Sequence, residues 1–136
     1  RLAISMGAEC ITVLGGTGSR LDHVLGNIEL LGIGLELGVE IELLDANNRI
    51  RMTDCGMILK KEEQFGKYVS LIPYTAKVEH LCLTGFKYPL DDYCLKGFCS
   101  LGVSNEITEK QAEITFEKGI LIVIESRDDA AMTYEI

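Results

Sequence analysis

The segment of residues 15–23 combines several residue types that could bind phosphate. Its sequence is Gly-Gly-Thr-Gly-Ser-Arg-Leu-Asp-His. The glycines allow a ligand to approach the backbone closely, and Arg20 can neutralise a phosphate oxygen. Asp22 can cap free N–H groups at a helix start or hold a cation. The segment favours a phosphate-binding loop, although a glycine turn with Asp22 as the helix N-cap would explain the same residues without a ligand.

Two familiar phosphate loops differ from this segment. A Walker A loop would end in Gly-Lys-Ser or Gly-Lys-Thr, which is absent here. A dinucleotide fingerprint is nearer, with Asp45 in the place of its ribose-binding acid, but Leu21 stands where the third glycine is expected. Asp22 would also repel a pyrophosphate group unless a divalent cation lay between them. Phosphate binding at this loop therefore implies Mg²⁺.

The elements around the loop are typical of a βαβ unit. Residues 11–15 form a short apolar run that predicts a buried strand, and residues 39–44 predict a second strand parallel to it. Between them, Gly38 is expected to end a helix. The helix is predicted from apolar residues at helical spacing, namely Leu21, Val24, Leu25, Ile28, Leu31 and Leu35.

From Arg49 onward the hydrophobic period changes to two, which predicts an all-β sandwich or barrel. Lys118-Gly119 offers a two-residue turn and predicts a hairpin between its flanking strands. The predicted strands cover residues 49–53, 57–60, 67–72, 77–83, 112–117 and 120–125.

The predicted fold class is α/β followed by all-β. Residues 1–47 are expected to be the C-terminal part of a parallel-sheet α/β domain, and residues 48–126 an antiparallel β-sandwich. The polar turn at residues 45–48 marks the boundary, and residues 127–136 are a tail without a strong pattern.

The composition and charge of the chain argue against nucleic acid and membrane as partners. The chain has 136 residues and a formal net charge of -8, so the basic surface that nucleic acids or anionic lipids attract is missing. No apolar run reaches the roughly 18 residues of a membrane span, and no signal peptide is evident. Five cysteines without CxxC spacing indicate reduced thiols rather than disulfides or zinc. We therefore expect a cytoplasmic protein that binds neither nucleic acid nor membrane.

Four sequence blocks resemble one known family. Residues 16–23, with Asn27 and Leu31 downstream, are similar to the G-x-x-G-R-x-D-H signature of thiamine pyrophosphokinase. Residues 70–73 (Ser-Leu-Ile-Pro), 85–90 (Gly-Phe-Lys-Tyr-Pro-Leu) and 102–106 (Gly-Val-Ser-Asn-Glu) resemble its later blocks in the same order. The resemblance covers nearly all of residues 1–126, and one departure is Ser19, where glycine is common.

The resemblance implies an activity and an architecture. The family transfers a pyrophosphoryl group from ATP to the hydroxyl of thiamine, giving thiamine diphosphate and AMP, with Mg²⁺ as counter-cation. Its α/β domain binds ATP and its β-sandwich contributes thiamine contacts. The active sites form across the interface of a homodimer.

The resemblance also implies roles for individual residues. Arg20 and Asp22 are the expected catalytic residues, with Asp22 on the Mg²⁺ side and Arg20 on phosphate oxygens. Tyr88 or Phe86 could supply an aromatic platform, although a place in the core is expected for both. The residues expected to bind nucleotide are Gly16, Thr17, Gly18, Ser19, Arg20, His23 and Asn27, and those expected to bind thiamine are Ser70, Ser104 and Asn105.

The family's acidic motifs that hold Mg²⁺ and nucleotide would precede Arg1. This observation leaves two readings open: either the sequence is the C-terminal part of an enzyme and is inactive alone, or it is a noncatalytic ligand-binding or dimerisation module. A nucleotide-cofactor oxidoreductase is disfavoured by Leu21 and by the all-β continuation.

Overall fold

A pair of parallel strands forms one side of the first sheet. The computed structural model describes residues 1–129. After a short helix α1 (Leu2–Ser5), strand β1 (Cys10–Leu14) pairs with β2 (Glu40–Leu44), with Cys10 opposite Glu40 and Leu14 opposite Leu44. The predicted parallel pair is therefore confirmed.

Two helices connect β1 and β2, where the sequence predicted one. Helix α2 (Leu21–Glu29) and helix α3 (Leu31–Leu37) are separated at Leu30, and Gly38 ends α3 in the left-handed conformation at φ 67°, as predicted. Gly34 lies against β2, since a Cβ there would stand 2.3 Å from the Val39 carbonyl oxygen. The helices pack on one face of the sheet around a core of Leu31, Leu43, Ile50, Met52 and Ile122.

The remaining chain is almost entirely β-structure. Its strands are β3 (Asn48–Thr53), β4 (Met57–Lys60), β5 (Tyr68–Pro73), β6 (Lys77–Thr84), β7 (Leu90–Lys96), β8 (Gln111–Thr115) and β9 (Leu121–Ser126), with a 3-10 turn at Lys61–Glu63. A five-stranded sheet has the order β1-β2-β3-β9-β5, and a four-stranded sheet has the order β4-β8-β6-β7.

The larger core lies between the two sheets. Val69, Leu71 and Val123 of the first sheet are buried in one cluster with residues of the second, such as Leu81 and Ile114. The fold is thus mixed α/β, mostly β, with two sheets. The five-stranded sheet contains strands from both sides of the boundary predicted at residues 47 and 48, and the division into domains stays a prediction.

Two local predictions were wrong or incomplete. Lys118-Gly119 does not form a hairpin, because β8 and β9 belong to different sheets and β9 lies between β3 and β5. Gly119 has φ 114° and carries the chain between the sheets, close to the Lys77 carbonyl. Strand β7 was not predicted. Residues 127–129 of the predicted tail are irregular, and residues 130–136 lie outside the described residues.

None of the helices within residues 1–129 has the length and apolar composition of a membrane-spanning segment.

Candidate functional site

The glycine-rich loop connects β1 to α2, at the carboxyl end of the parallel strands. Ligands of α/β sheets bind at this edge, because loops and helix N-termini converge there. Gly15 adopts φ 74°, a conformation that glycine reaches without steric cost. Asn27 of α2 reaches back to the loop and donates from Nδ2 to the Gly16 carbonyl at 2.9 Å. Asn27 therefore fixes the shape of the loop.

A small cavity lies in front of this loop. Its volume is about 270 Å³. The lining residues are Gly15, Gly16, Gly18, Ser19, Arg20, His23 and Asn27. Six of the seven residues predicted to bind nucleotide are thus brought together, and Thr17 is the exception.

Thr17 is not among the residues that line the cavity, and its side chain binds Asp45. Its hydroxyl donates to Asp45 Oδ2, and Asp45 lies directly after β2. The sequence analysis placed Asp45 in the polar turn of residues 45–48 and at the position of a ribose-binding acid. Its role in shaping the loop was missed, because a contact across 28 residues leaves no local signal.

Arg20 and Asp22 form an exposed bidentate ion pair at the start of α2. Arg20 Nη2 donates to Asp22 Oδ2 at 2.5 Å, and Nε donates to Oδ1 at 3.1 Å. The Arg20 hydrogen bonds are the largest influence on the pKa of Asp22, and they hold it below its ordinary value. Asp22 is therefore a carboxylate at neutral pH. Exposed pairs of this kind contribute little stability, so a phosphate or a cation can replace either partner at low cost.

The interpretation of Asp22 as a simple helix N-cap is wrong. Helix α2 begins at Leu21, and Arg20 occupies the capping position without a side-chain cap bond. Asp22 lies inside the first turn, where its Oδ1 accepts from the His23 N–H at 2.9 Å. The helix dipole favours a carboxylate in this first turn, but the helix does not need one in order to begin there.

A Mg²⁺ site would need more ligands than the described residues bring together. Within residues 1–129, no group of three or more His, Cys, Asp or Glu side chains is placed to hold a metal ion. Mg²⁺ commonly takes one or two carboxylates and fills its other positions with water and substrate phosphates. Asp22, beside the glycine-rich loop, fits the role of one such carboxylate.

The predicted thiamine residues meet at a second place, between β5 and the loop after β7. Ser70 of β5 is buried, and its Oγ accepts from the Ser104 N–H at 3.0 Å. Ser104 has φ 61° and an exposed side chain. Asn105 is buried and exchanges backbone hydrogen bonds with Val69. Ser70 therefore supports the Ser104 backbone rather than facing solvent itself.

The two candidate aromatic residues differ sharply in exposure. Phe86 is 5% exposed and belongs to the larger core, as expected. Tyr88 is 59% exposed, so the expectation of a core position was wrong for this residue. The Asn105 side chain bonds to the Tyr88 backbone, and Lys87 Nζ lies 5.5 Å from the centre of the Tyr88 ring. An accessible aromatic residue is thus hydrogen-bonded through its backbone to Asn105.

A larger cleft, of about 540 Å³, lies between α3 and strands β2 and β3. It forms where β2 and β3 separate beyond their two paired positions, Leu43 with Ile50 and Leu44 with Arg49. None of the predicted site residues lines it.

Comparisons with known proteins agree on one family. Residues 56–121 match the family described as thiamin pyrophosphokinase, vitamin B1 binding domain. Over 126 residues the chain is 38% identical to the thiamine pyrophosphokinase of Bacillus subtilis, which covers 93% of this chain and 59% of the relative. The chain belongs to the thiamine pyrophosphokinase family.

Solved structures of thiamine pyrophosphokinases have the same fold. The Bacillus subtilis crystal structure superposes with a TM-score of 0.88 at 38% identity, covering 93% of this chain and 59% of that one. The Geobacillus thermodenitrificans structure gives 0.85 at 35% identity, covering 95% and 59%. The chain therefore spans about 59% of the length of these bacterial thiamine pyrophosphokinases.

The range matched to the vitamin B1 binding domain contains Ser70, Tyr88, Ser104 and Asn105. The glycine-rich loop precedes that range. The two candidate regions of this thiamine pyrophosphokinase family member thus fall in different parts of its sequence, and the binding roles of their residues stay predictions.

Proposed function

We propose that the protein is a thiamine pyrophosphokinase that uses ATP as co-substrate. In this reaction the hydroxyl oxygen of thiamine bonds to the β-phosphorus of ATP while the bond to the oxygen bridging to the α-phosphate breaks. AMP leaves, and the hydroxyl proton is lost to a base or solvent. The observation that carries the proposal is the family match over residues 56–121. It is accompanied by a separate glycine-rich loop that has Arg20 and Asp22 at its end.

The nucleotide phosphates are assigned to the cavity before α2. Gly16, Gly18 and Ser19 line that cavity, and the start of α2 favours negative charge. Arg20 is assigned to phosphate oxygens, where a fixed guanidinium neutralises charge that develops during transfer. His23 and Asn27 line the same cavity as supporting contacts.

Asp22 is assigned to the cation side of this centre. A bound Mg²⁺ would supply neutralisation of the phosphate charge. Asp22 is ionised and exposed, and its present partner Arg20 is itself assigned to the phosphates. The two side chains would therefore exchange their mutual ion pair for contacts to the substrate and cation.

Thiamine is assigned to the surface around Tyr88. The exposed ring offers a flat face for the aminopyrimidine, and the exposed Ser104 hydroxyl, next to Asn105 in the chain, offers a hydrogen bond. Asn105 contributes by holding the Tyr88 backbone, and Ser70 by holding the Ser104 backbone. This assignment retains all three predicted thiamine residues and gives two of them a supporting role.

The proposal also covers the division into domains, the oligomeric state and the cellular compartment. Residues 1–47 are assigned to the nucleotide-binding α/β part, residues 48–126 to a thiamine-binding β-sandwich, and the active protein to a homodimer with sites at its interface. All five cysteines lie within the described residues as free thiols, which supports a reducing compartment such as the cytoplasm.

Calorimetric titration of the chain tests the two substrate sites separately. We expect saturable binding of thiamine, and Mg²⁺-dependent binding of a non-hydrolysable ATP analogue. Thiamine-dependent AMP release is measured in parallel on the native gene product. Thiamine binding without any AMP release there would favour a noncatalytic ligand-binding module, and binding of neither substrate would contradict the proposed function.

A further inference from the structure

Within residues 1–129, one hydrogen bond between side chains joins the glycine-rich loop to the segment that follows β2. The Thr17 hydroxyl donates to Asp45 Oδ2. Because β1 and β2 are adjacent and parallel, the segments after their carboxyl ends lie side by side, and Asp45 is the first residue after β2. The contact therefore links the middle of the loop to the sheet at a point outside α2.

The oxygens of Asp45 are occupied by donors from within the chain. Oδ1 accepts from the Asn47 N–H at 2.8 Å and the Asn48 N–H at 2.6 Å, and Asn48 Nδ2 lies 3.2 Å from Oδ1 and 3.3 Å from Oδ2. Partial burial raises the pKa of Asp45, but the hydrogen bonds from Thr17, Asn47 and Asn48 outweigh it and hold the pKa below its ordinary value. Asp45 is thus an ionised acceptor with its lone pairs in use, unlike the exposed Asp22.

The turn that carries Asp45 is itself held by the end of the described chain. Asn47 Nδ2 donates to Asp129 Oδ1 at 2.8 Å and to the Arg127 carbonyl at 3.2 Å. In return, the Arg127 N–H donates to the Asn47 carbonyl at 3.0 Å, and Arg127 Nε donates to the Ala46 carbonyl at 2.9 Å. A turn that is hydrogen-bonded to a second segment of the chain can restrict the motion of a binding loop more than a turn that contacts only solvent.

From these contacts we infer that Asp45 is a positioning residue for the phosphate-binding loop, and that it acts through the hydroxyl of Thr17. This inference rests on the proposed function. Asp45 holds the loop backbone in the shape that receives the nucleotide phosphates, and it touches neither nucleotide nor cation. Thr17, which was predicted to bind nucleotide, serves the same positioning role.

Amide hydrogen exchange of residues 16–20, measured on the chain without any ligand, tests the contact directly. Thr17→Val and Asp45→Ala should each raise loop exchange rates by about tenfold, as expected for loss of a hydrogen bond to a charged group. The double variant should exchange no faster than the more affected single variant. Thr17→Ser and Asp45→Asn should stay near wild type, because each keeps a partner for the contact.

Titration with the ATP analogue and Mg²⁺ gives the second readout. Thr17→Val and Asp45→Ala should weaken binding by about tenfold, while Asp45→Asn should change it less than twofold. Thr12→Val is a matched control, because Thr12 also donates to a carboxylate across β1 and β2, that of Glu42, but lies outside the loop. It should change neither readout.

Several outcomes would overturn the inference. Additive effects in the double variant would mean that Thr17 and Asp45 act independently. A loss of binding in Asp45→Asn as large as in Asp45→Ala would mean that the negative charge itself is needed, as for a cation ligand. If the wild-type chain bound neither thiamine nor the analogue, the proposed function would fail, whereas the exchange data would still decide whether Asp45 orders the loop.

Discussion

Asn105 and Tyr88 are joined by two hydrogen bonds between a buried side-chain amide and an exposed loop. The Tyr88 N–H donates to Asn105 Oδ1 at 3.0 Å, and Asn105 Nδ2 donates to the Tyr88 carbonyl at 2.9 Å. Asn105 Oδ1 also accepts from the Glu106 N–H at 2.9 Å. The amide therefore sets the backbone position from which the Tyr88 ring projects.

Asn105→Ala should weaken thiamine binding more than binding of an ATP analogue. The change leaves the polar groups of the Tyr88 backbone without their buried partner, at a cost of about 1–3 kcal/mol. Calorimetric titrations with each ligand measure the difference. Gln111→Ala, an exposed amide at the start of β8, serves as the control. Equal weakening of both ligands would point to general destabilisation instead.

Asp22→Asn should abolish pyrophosphoryl transfer in the native gene product and leave the fold intact. The side chain is exposed, and asparagine keeps an oxygen that can accept from the His23 N–H, so the substitution removes mainly the charge. Steady-state AMP release and a thermal melt give the two measurements. Glu36→Gln removes an exposed carboxylate from α3 and should leave both unchanged. Near-normal turnover in Asp22→Asn would remove Asp22 from the proposed centre.

The strands and the phosphate loop could be predicted because their signals are local. Alternating apolar residues marked six of the strands after residue 48, and β-branched residues ending in glycine marked β1. Strand β7 was not predicted because its sequence, Leu-Asp-Asp-Tyr-Cys-Leu-Lys, does not alternate between apolar and polar residues. The strand is also irregular in the structure, since Asp92 has a left-handed backbone conformation. Tertiary pairing with β6 makes it a strand.

Partnerships between distant segments could not be read from the sequence. The residues flanking Lys118-Gly119 suit a hairpin locally, but β9 is largely buried and pairs with β3 and β5 in the five-stranded sheet. The contacts of Asn105 with Tyr88 and of Thr17 with Asp45 also depend on the fold. The sequence therefore predicted which residues come together at the candidate site. It did not predict which of these residues support the backbone of others through hydrogen bonds.

Thermal stability should decrease as the pH rises above neutrality, through His80. Its Nδ1 lies 2.5 Å from Asp92 Oδ1 and its Nε2 lies 3.6 Å from Glu117 Oε2. Asp92 first, then Glu117, raises the pKa of His80 above its ordinary 6.5, with a smaller contribution from Glu79. A raised folded-state pKa stabilises the fold below 6.5, and this gain disappears as the pH passes the folded-state pKa.

Melting temperatures measured between about pH 6 and pH 9 test this expectation. The wild-type chain should lose stability across the range, and His80→Gln should lose less of it because its side chain does not titrate. His23→Gln removes the other histidine and should retain the wild-type slope. Parallel slopes for wild type and His80→Gln would exclude His80 as the source.

Glu125→Ala should destabilise the chain strongly. Glu125 is 2% exposed, and its Oε2 lies 2.8 Å from Arg51 Nη2 and 3.6 Å from Arg49 Nη1. Removing the carboxylate leaves the partly buried Arg51 without its ion-pair partner and Arg49 paired with Glu42 alone, for a loss of about 3–5 kcal/mol. Denaturant unfolding gives the value. Glu109→Gln, an exposed carboxylate, should change stability little, and a similar small loss in Glu125→Ala would mean that solvent already screens the cluster.

Light scattering should give a particle of twice the 15.0 kDa chain mass, as expected for the proposed homodimer. The loop after β7 exposes Phe98 fully, and Leu101 and Val103 by about half. Three apolar side chains in one exposed loop form the kind of patch that a partner surface covers. The loop also leads directly into Ser104, so a subunit packed there would lie beside the thiamine residues.

Phe98→Asp with Leu101→Asp should therefore give a monomer that also binds thiamine more weakly. Its melting temperature at low concentration should stay close to that of the dissociated wild type. A monomeric wild-type chain would contradict the dimer, and a monomeric variant with unchanged thiamine affinity would separate the site from the interface.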